Sequence, residues 1–136
     1  MTVARTLHAG FADTATWFVL FIGIWALVQG VRGKALGPSW FGAVVIAELL
    51  LLVQAGLGAY LYFFTPASAI LTRPFMHILY GVVAIISLPA GYAYFSRLED
   101  EKIKALALGL VCLFLWGILL RANQVVTLDV VAGIVV

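Results

Sequence analysis

Two histidines, His8 and His77, have the most specific chemistry in this sequence. Each lies near one end of a long apolar segment, and those segments are the first and third along the chain. Facing imidazoles on separate helices of a bundle bind b-type haem, each ring taking one axial position on the iron. The sequence therefore offers b-type haem, or a related chlorin, as a candidate cofactor with His77 as ligand, with or without His8. The structural alternative is an ordinary interfacial His8 and a buried His77 that donates to a backbone carbonyl.

Asp13 and Arg121 are ionisable residues inside the first and last apolar segments. An ionisable side chain within a membrane span is costly, so each needs an explanation. One interpretation is a structural ion pair between Asp13 and Arg121, which would form a polar layer beside His77. Arg121 could instead pair with a haem propionate, or extend its charged group to the membrane surface.

Glu48 and Gln54 are the polar residues of the second apolar segment. Counted from Trp40, Glu48 lies about 12 Å into the membrane. An unpaired carboxylate there would be costly, so a protonated, hydrogen-bonded carboxyl is one expectation. The functional alternatives for Glu48 and Gln54 are a proton relay or contact with a quinone. The structural interpretation is a hydrogen bond to another helix.

Composition decides the elements that must position these residues. The chain has 136 residues, of which 65% are hydrophobic and 10% are charged, against about 25% charged in ordinary soluble domains. So few charges cannot cover the surface of a soluble domain. This excludes a cytosolic globule, a disordered chain and a nucleic-acid-binding module. Cys112 is the single cysteine, which excludes an intrachain disulfide and a cysteine-based zinc site.

Four apolar runs are long enough to cross a membrane as helices. Since the connections between them are short, the sequence predicts an all-α, integral membrane, up-down four-helix bundle in a single domain. A following tail, residues 123–136, is apolar but too short to span; it could lie in the interface, be disordered, or dock on a partner. The predicted spans are about 9–31, 40–64, 74–95 and 103–121.

Basic residues predict the orientation of the bundle. Five of them lie in the loops after the first and third spans, and three lie on the opposite side. This favours a bacterial inner-membrane protein with both termini outside. Counted from the loop side, Asp13, His77 and Arg121 share a layer about 25–27 Å deep, and His8 lies about 7 Å further out. The aromatic residues, Trp40 and Phe41 among them, are expected to form interface belts.

The stretch from Glu48 to Ile85 carries a family resemblance. It contains Gln54 followed four residues later by Gly58, then an outer loop with proline, then His77 opening the next helix. This order resembles one half of the haem A synthase bundle and is similar in plan to small b-type cytochromes. The resemblance implies haem ligation by His77 and by His8. The chain lacks the family's duplicated half, its outer-loop cysteine pair and its glutamate beside the histidine, so the resemblance does not imply haem modification.

These observations predict a small membrane subunit associated with a bacterial respiratory or photosynthetic electron-transfer complex. It would bind b-type haem through His8 and His77, with other membrane subunits and lipid as partners and no nucleic acid. The alternative is a cofactor-free accessory subunit that stabilises a larger membrane complex by helix packing. No motif for a self-sufficient enzyme is present, and the whole sequence also looks like small four-span proteins of photosynthetic and related bacteria.

Overall fold

A computed structural model describes residues 3–71 and 73–135, without the side chains of residues 70 and 127–135. Four α-helices form this part of the chain, and a short 3-10 helix, Pro66–Ile70, joins the second to the third. The α-helices are α1 (Val3–Val31), α2 (Pro38–Phe64), α3 (Pro74–Phe95) and α4 (Glu101–Val135). The predicted all-α four-helix bundle is confirmed.

Local signals in the sequence set the helix boundaries. Pro38 and Pro74 open α2 and α3, because proline at the first helical position loses no backbone hydrogen bond. Gly33, at φ 69°, follows the end of α1, and its left-handed backbone is the usual glycine helix stop. The Asp100 carboxylate accepts the Lys102 and Ile103 N–H groups, at 2.9 and 3.3 Å, and so caps the start of α4.

Two side chain–backbone hydrogen bonds fix the antiparallel register of α1 and α2. The indole N–H of Trp40 donates to the Ile22 carbonyl at 2.9 Å, and the His8 ring bonds to the Gln54 carbonyl at 3.1 Å. The spacing from Trp40 to Gln54 on α2 equals the spacing from His8 to Ile22 on α1. The two helices therefore keep one register along their shared length.

The four helices form an uneven ring. Helices α1 and α4 share the most extensive interface; α3 packs on α4 and α2 packs on α1, whereas α2 and α3 touch least. Helices α1 and α3 thus lie on a diagonal of the bundle. We call the end with the connections 32–37 and 96–100 the loop end. The other end, with His8 and His77, is the histidine end.

Glycines allow α1 and α4 to approach closely. A Cβ atom added at Gly30 would lie 2.7 Å from the Leu106 side chain, and one at Gly109 would lie 2.8 Å from Leu27. Both are shorter than any ordinary carbon–carbon contact, so no larger residue fits without a shift. The core of the bundle is built around this interface.

The four helices are each long and apolar enough to cross a membrane, over Val3–Val31, Pro38–Phe64, Pro74–Phe95 and Glu101–Val126. Large apolar side chains on the outer surface of the bundle, such as Trp17, Phe21 and Ile24, are exposed. Such a surface suits contact with lipid, and the chain is a multi-pass membrane protein in its architecture.

Three expectations from the sequence differ from the structure. Helix α1 begins at Val3, six residues before the predicted start of the first span. Helix α4 continues without a break to Val135, so residues 123–135 of the predicted tail are helical, while the placement of their side chains from residue 127 on falls outside the described part. Trp40 is only 2% exposed and belongs to the core, not to an interface belt, because its N–H finds a partner on α1.

Candidate functional site

The structure brings His8 and His77 together at the histidine end of the bundle. Helix α1 carries His8 and α3 carries His77, so the two rings meet across the diagonal. Their ring centroids are 6.2 Å apart and their planes make an angle of 71°. Both side chains are half-buried. The two residues singled out from the sequence therefore form one pair.

Each imidazole is held by a backbone carbonyl of a neighbouring helix. Nδ1 of His8 lies 3.1 Å from the Gln54 carbonyl on α2, and Nδ1 of His77 lies 3.4 Å from the Ala122 carbonyl on α4. A carbonyl oxygen only accepts, so in both rings Nδ1 carries the proton and donates it. In the neutral ring, Nε2 then presents a lone pair, which is the form of histidine that binds a metal.

Gly58 gives His8 its place against α2. A Cβ atom at this position would lie 2.9 Å from Cε1 of the His8 ring. Any larger residue would push the imidazole away from α2 and from the Gln54 carbonyl. The neighbour of Gly58 is thus a histidine ring and not the backbone of another helix.

The expected depth difference of about 7 Å between the histidines assumed that the loop-end termini of α1 and α3 are level. Their contacts on α4 show otherwise, because Gly30 meets Leu106 whereas Gly91 meets Val111. When the same spacing is continued to the loop-end termini of the two helices, the terminus of α3 lies about two residues, or roughly 3 Å, closer to the histidine end than the terminus of α1. The side chains of His8 and His77 span the remaining depth difference.

The donor set around the pair is two imidazoles. Among the described residues no group of three or more His, Cys, Asp and Glu side chains could hold a metal ion. A bare zinc ion needs at least three protein ligands. Haem iron needs only two, because the porphyrin supplies the other four donors. Two imidazoles that each donate through Nδ1 fit haem better than a bare ion.

The expected ion pair between Asp13 and Arg121 is absent from the structure. Both side chains are exposed, and the guanidinium of Arg121 instead donates to Gln124 Oε1 at 3.4 Å on the same helix. Asp13 lies about 200° around α1 from buried Ala15, and Arg121 lies about 180° around α4 from buried Cys112. The two residues share a depth but project outward from different helices.

Arginines flank the histidine pair even so. Arg73 is one turn before His77, and its carbonyl accepts the His77 backbone N–H at 3.2 Å. Arg121 directly precedes Ala122, which holds the His77 ring. Arg5 is three residues before His8. Described residues 3–12, 56–71, 73–80 and 114–126 contain no Asp or Glu, and Asp13, at the depth of Arg121, is exposed on the outer face of α1. The three arginines therefore form a local cluster of positive charge.

Glu48 lies closer to the histidine end than the sequence implied. It is eight residues after Trp40, so in the common register it faces the level of Thr14, eight residues before Ile22. The depth count took Trp40 as the membrane edge, but Trp40 packs nine residues inside the end of α1, about 13 Å further in. Oε2 of Glu48 is buried and has no hydrogen-bond partner among the described residues.

The amides of Gln54 and Gln29 raise the same question. Oε1 of each side chain is buried without a partner among the described residues. The backbone carbonyl of the same residue, Gln54, accepts the hydrogen bond from His8. Gln29 was missed from the sequence because it lies two residues before the end of α1, where polar residues are common. A buried oxygen that accepts no hydrogen bond in hydrocarbon is costly, so each of these oxygens needs a donor.

Comparison of the chain with protein-family models, with curated proteins and with solved structures finds no match.

Proposed function

We propose that this chain is an electron-transfer subunit of a bacterial membrane complex and binds a b-type haem between His8 and His77. The carrying observation is the separation of the two rings, 6.2 Å between centroids. If Nε2 of each ring bound one iron from opposite sides at about 2 Å, the ring centroids would lie about 6.3 Å apart. The separation of the pair is therefore compatible with a shared iron.

The protonation of the rings supports the same proposal. Donation from Nδ1 to the Gln54 and Ala122 carbonyls leaves each Nε2 as the ligand atom, and it fixes the ring orientation as is usual for metal-bound histidine. The haem would supply one-electron redox chemistry. The protein would position the axial ligands and set their basicity through these two hydrogen bonds.

The charge of the histidine end suits the two propionates of haem. Arg73 and Arg121 are exposed; Arg73 lies one turn before His77 on α3, and Arg121 directly precedes Ala122, which holds the His77 ring. A guanidinium binds a carboxylate through paired hydrogen bonds, so these two residues are the candidates to hold the propionates. Arg121, predicted from the sequence as a haem contact, keeps that role in the proposal. The basic loops favour a histidine end that faces outside the inner membrane.

The absorption spectrum of the purified protein tests the proposal. The wild-type protein is expected to show a Soret band and a six-coordinate, low-spin spectrum. His77→Ala should abolish that spectrum, and His8→Ala should convert it to a five-coordinate one. Thr16→Ala is a matched control on α1, because its hydroxyl donates to the Ala12 carbonyl of the same helix. It should leave the haem content unchanged.

A wild-type protein without Soret absorbance, after expression with sufficient haem, would overturn the haem proposal. The chain would then be the cofactor-free accessory subunit, and His77→Ala would weaken only its assembly with membrane partners. A spectrum that survives both histidine substitutions would also contradict the assignment.

A further inference from the structure

The interface between α2 and α3 differs from the other helix contacts of the bundle. At Gly30 and Gly109 on the α1–α4 interface, at Gly91 between α3 and α4, and at Gly58 between α1 and α2, an added Cβ would collide with a neighbour. At Gly81 of α3 it would meet nothing within 4 Å. Since α2 and α3 also touch least, these two helices make no close contact at the level of Gly81.

Glu48 faces this interface. The rings of Phe41 on α2 and Tyr92 on α3 meet at 5.9 Å between centroids, which marks the face of α2 that looks at α3. Glu48 is seven residues after Phe41, two turns along the same face. Counting seven residues back from Tyr92 reaches Ile85, and Gly81 lies one turn beyond it toward His77. Glu48 therefore lies on the face of α2 toward α3, about one turn from the level of Gly81.

We propose that the space between α2 and α3 binds the headgroup of a membrane quinol, with one quinol hydroxyl donating to the Glu48 carboxyl. The buried Oε2 of Glu48 has no partner among the described residues and needs a donor, and the side chains of Ile85 and Gly81, at this level of α3, offer none. A phenolic hydroxyl on a flat apolar ring supplies the donor and suits a narrow interface between helices.

The position of the site relates it to the histidine pair. From Ile85 to His77 is eight residues, about 12 Å along α3. The closeness of this site to a haem rests on the proposed function, whereas the binding of the quinol does not need the haem.

Binding of decylubiquinol, compared with its dimethyl ether, tests the site. The ether keeps the ring and the tail but has no hydroxyl donors. Binding would be measured to the full chain in nanodiscs, under anaerobic reducing conditions, relative to empty nanodiscs. The wild-type protein should prefer the quinol by about tenfold, the value of one buried hydrogen bond.

Three substitutions assign that preference. Glu48→Leu should abolish it, so that the quinol and the ether bind alike, and Glu48→Gln should keep most of it because the amide retains an acceptor oxygen. Gln29→Leu is the matched control, because it removes a buried amide oxygen without a partner among the described residues, on a different helix near the loop end. It should leave the preference unchanged. Gly81→Leu should weaken both compounds by filling the space.

Equal binding of quinol and ether to the wild-type protein would overturn the proposal, as would a preference that survives Glu48→Leu. Loss of the preference in Gln29→Leu would overturn it too, because the effect would then not be local. The preference requires no Soret band, so this test and the haem test can fail separately.

Discussion

The two ends of this bundle use the same kinds of residue to different effect. At the loop end, glycines let apolar side chains interlock, as Gly30 does with Leu106, and the buried Trp40 N–H has its acceptor. At the histidine end, Gly58 seats an imidazole, and Oε1 of Gln54 is left without a partner. Because Gln29 near the loop end also has a buried oxygen without a partner among the described residues, the ends differ in what their close contacts hold, which is apolar side chains at the loop end and an imidazole at the histidine end.

The largest effect is expected from a side chain that is too large for the close packing at the loop end. In Gly109→Val the new Cβ would lie 2.8 Å from the Leu27 side chain and 3.2 Å from the Gly23 carbonyl. Because α1 and α4 would have to separate, we expect a loss of about 3 kcal/mol in the free energy of unfolding. Reversible unfolding in mixed micelles measures it.

Gly117→Val is the control for that substitution. It lies on the same helix, but its added Cβ would meet nothing within 4 Å, so it should change the free energy of unfolding by less than about 0.5 kcal/mol. Similar losses in the two variants would show that the cost comes from valine in α4 and not from close packing against α1.

A smaller, local change is expected from Gly58→Ala at the histidine end. Its Cβ would lie 2.9 Å from Cε1 of His8, and the ring can yield more easily than backbone, so we expect a loss of about 1–2 kcal/mol in stability. Displacement of the ring should also weaken axial ligation, seen as faster haem loss to an acceptor protein.

Gly10→Ala is the matched control, since its Cβ would face open space two residues from His8. It should keep both the stability and the rate of haem loss of the wild type. If Gly58→Ala loses stability while haem loss is unchanged, His8 is a packing residue and not a ligand.

Much of the fold was accessible from the sequence, because apolar runs of membrane length and short connections leave few arrangements. The third span, 74–95, coincides with α3. Relative heights of the helices were not accessible. Counting residues from loops assumes level helix ends, and this assumption misplaced Glu48 and exaggerated the distance between His8 and His77. Only contacts such as that of Trp40 with Ile22 fix the registers.

Side-chain pairing was the least predictable property. Equal depth suggested that Asp13 and Arg121 meet, but depth says nothing of the direction in which a residue leaves its helix. The histidine pair was predicted as a possible ligand set, yet the carbonyls that hold the rings belong to Gln54 and Ala122, whose backbone positions no sequence pattern marks.

A third substitution tests whether the loop end also gains stability from its turns. Asp100→Ala removes the carboxylate that accepts the Lys102 and Ile103 N–H groups at the start of α4. Loss of such a cap costs about 1 kcal/mol in the free energy of unfolding. Glu99→Ala removes a neighbouring exposed acid and should cost almost nothing. Equal effects would assign the loss to net charge and not to the cap.

The smallest effect is expected from Asp13 and Arg121, and it separates depth from contact. Both side chains are exposed on different helices, so Asp13→Asn and Arg121→Gln should each change the free energy of unfolding by less than about 0.5 kcal/mol. In the double variant the two changes should add, with a coupling energy below about 0.3 kcal/mol. A buried ion pair would behave otherwise, because either single substitution would strand a charge in hydrocarbon and the second would relieve it. A double-mutant cycle by unfolding in mixed micelles measures the coupling, and a value above about 1 kcal/mol would mean that the two residues pair in the membrane. Of the two single variants, only Arg121→Gln should lower the haem content, because Arg121 directly precedes Ala122, whose carbonyl holds His77, and a guanidinium can bind a propionate whereas the Asp13 carboxylate cannot.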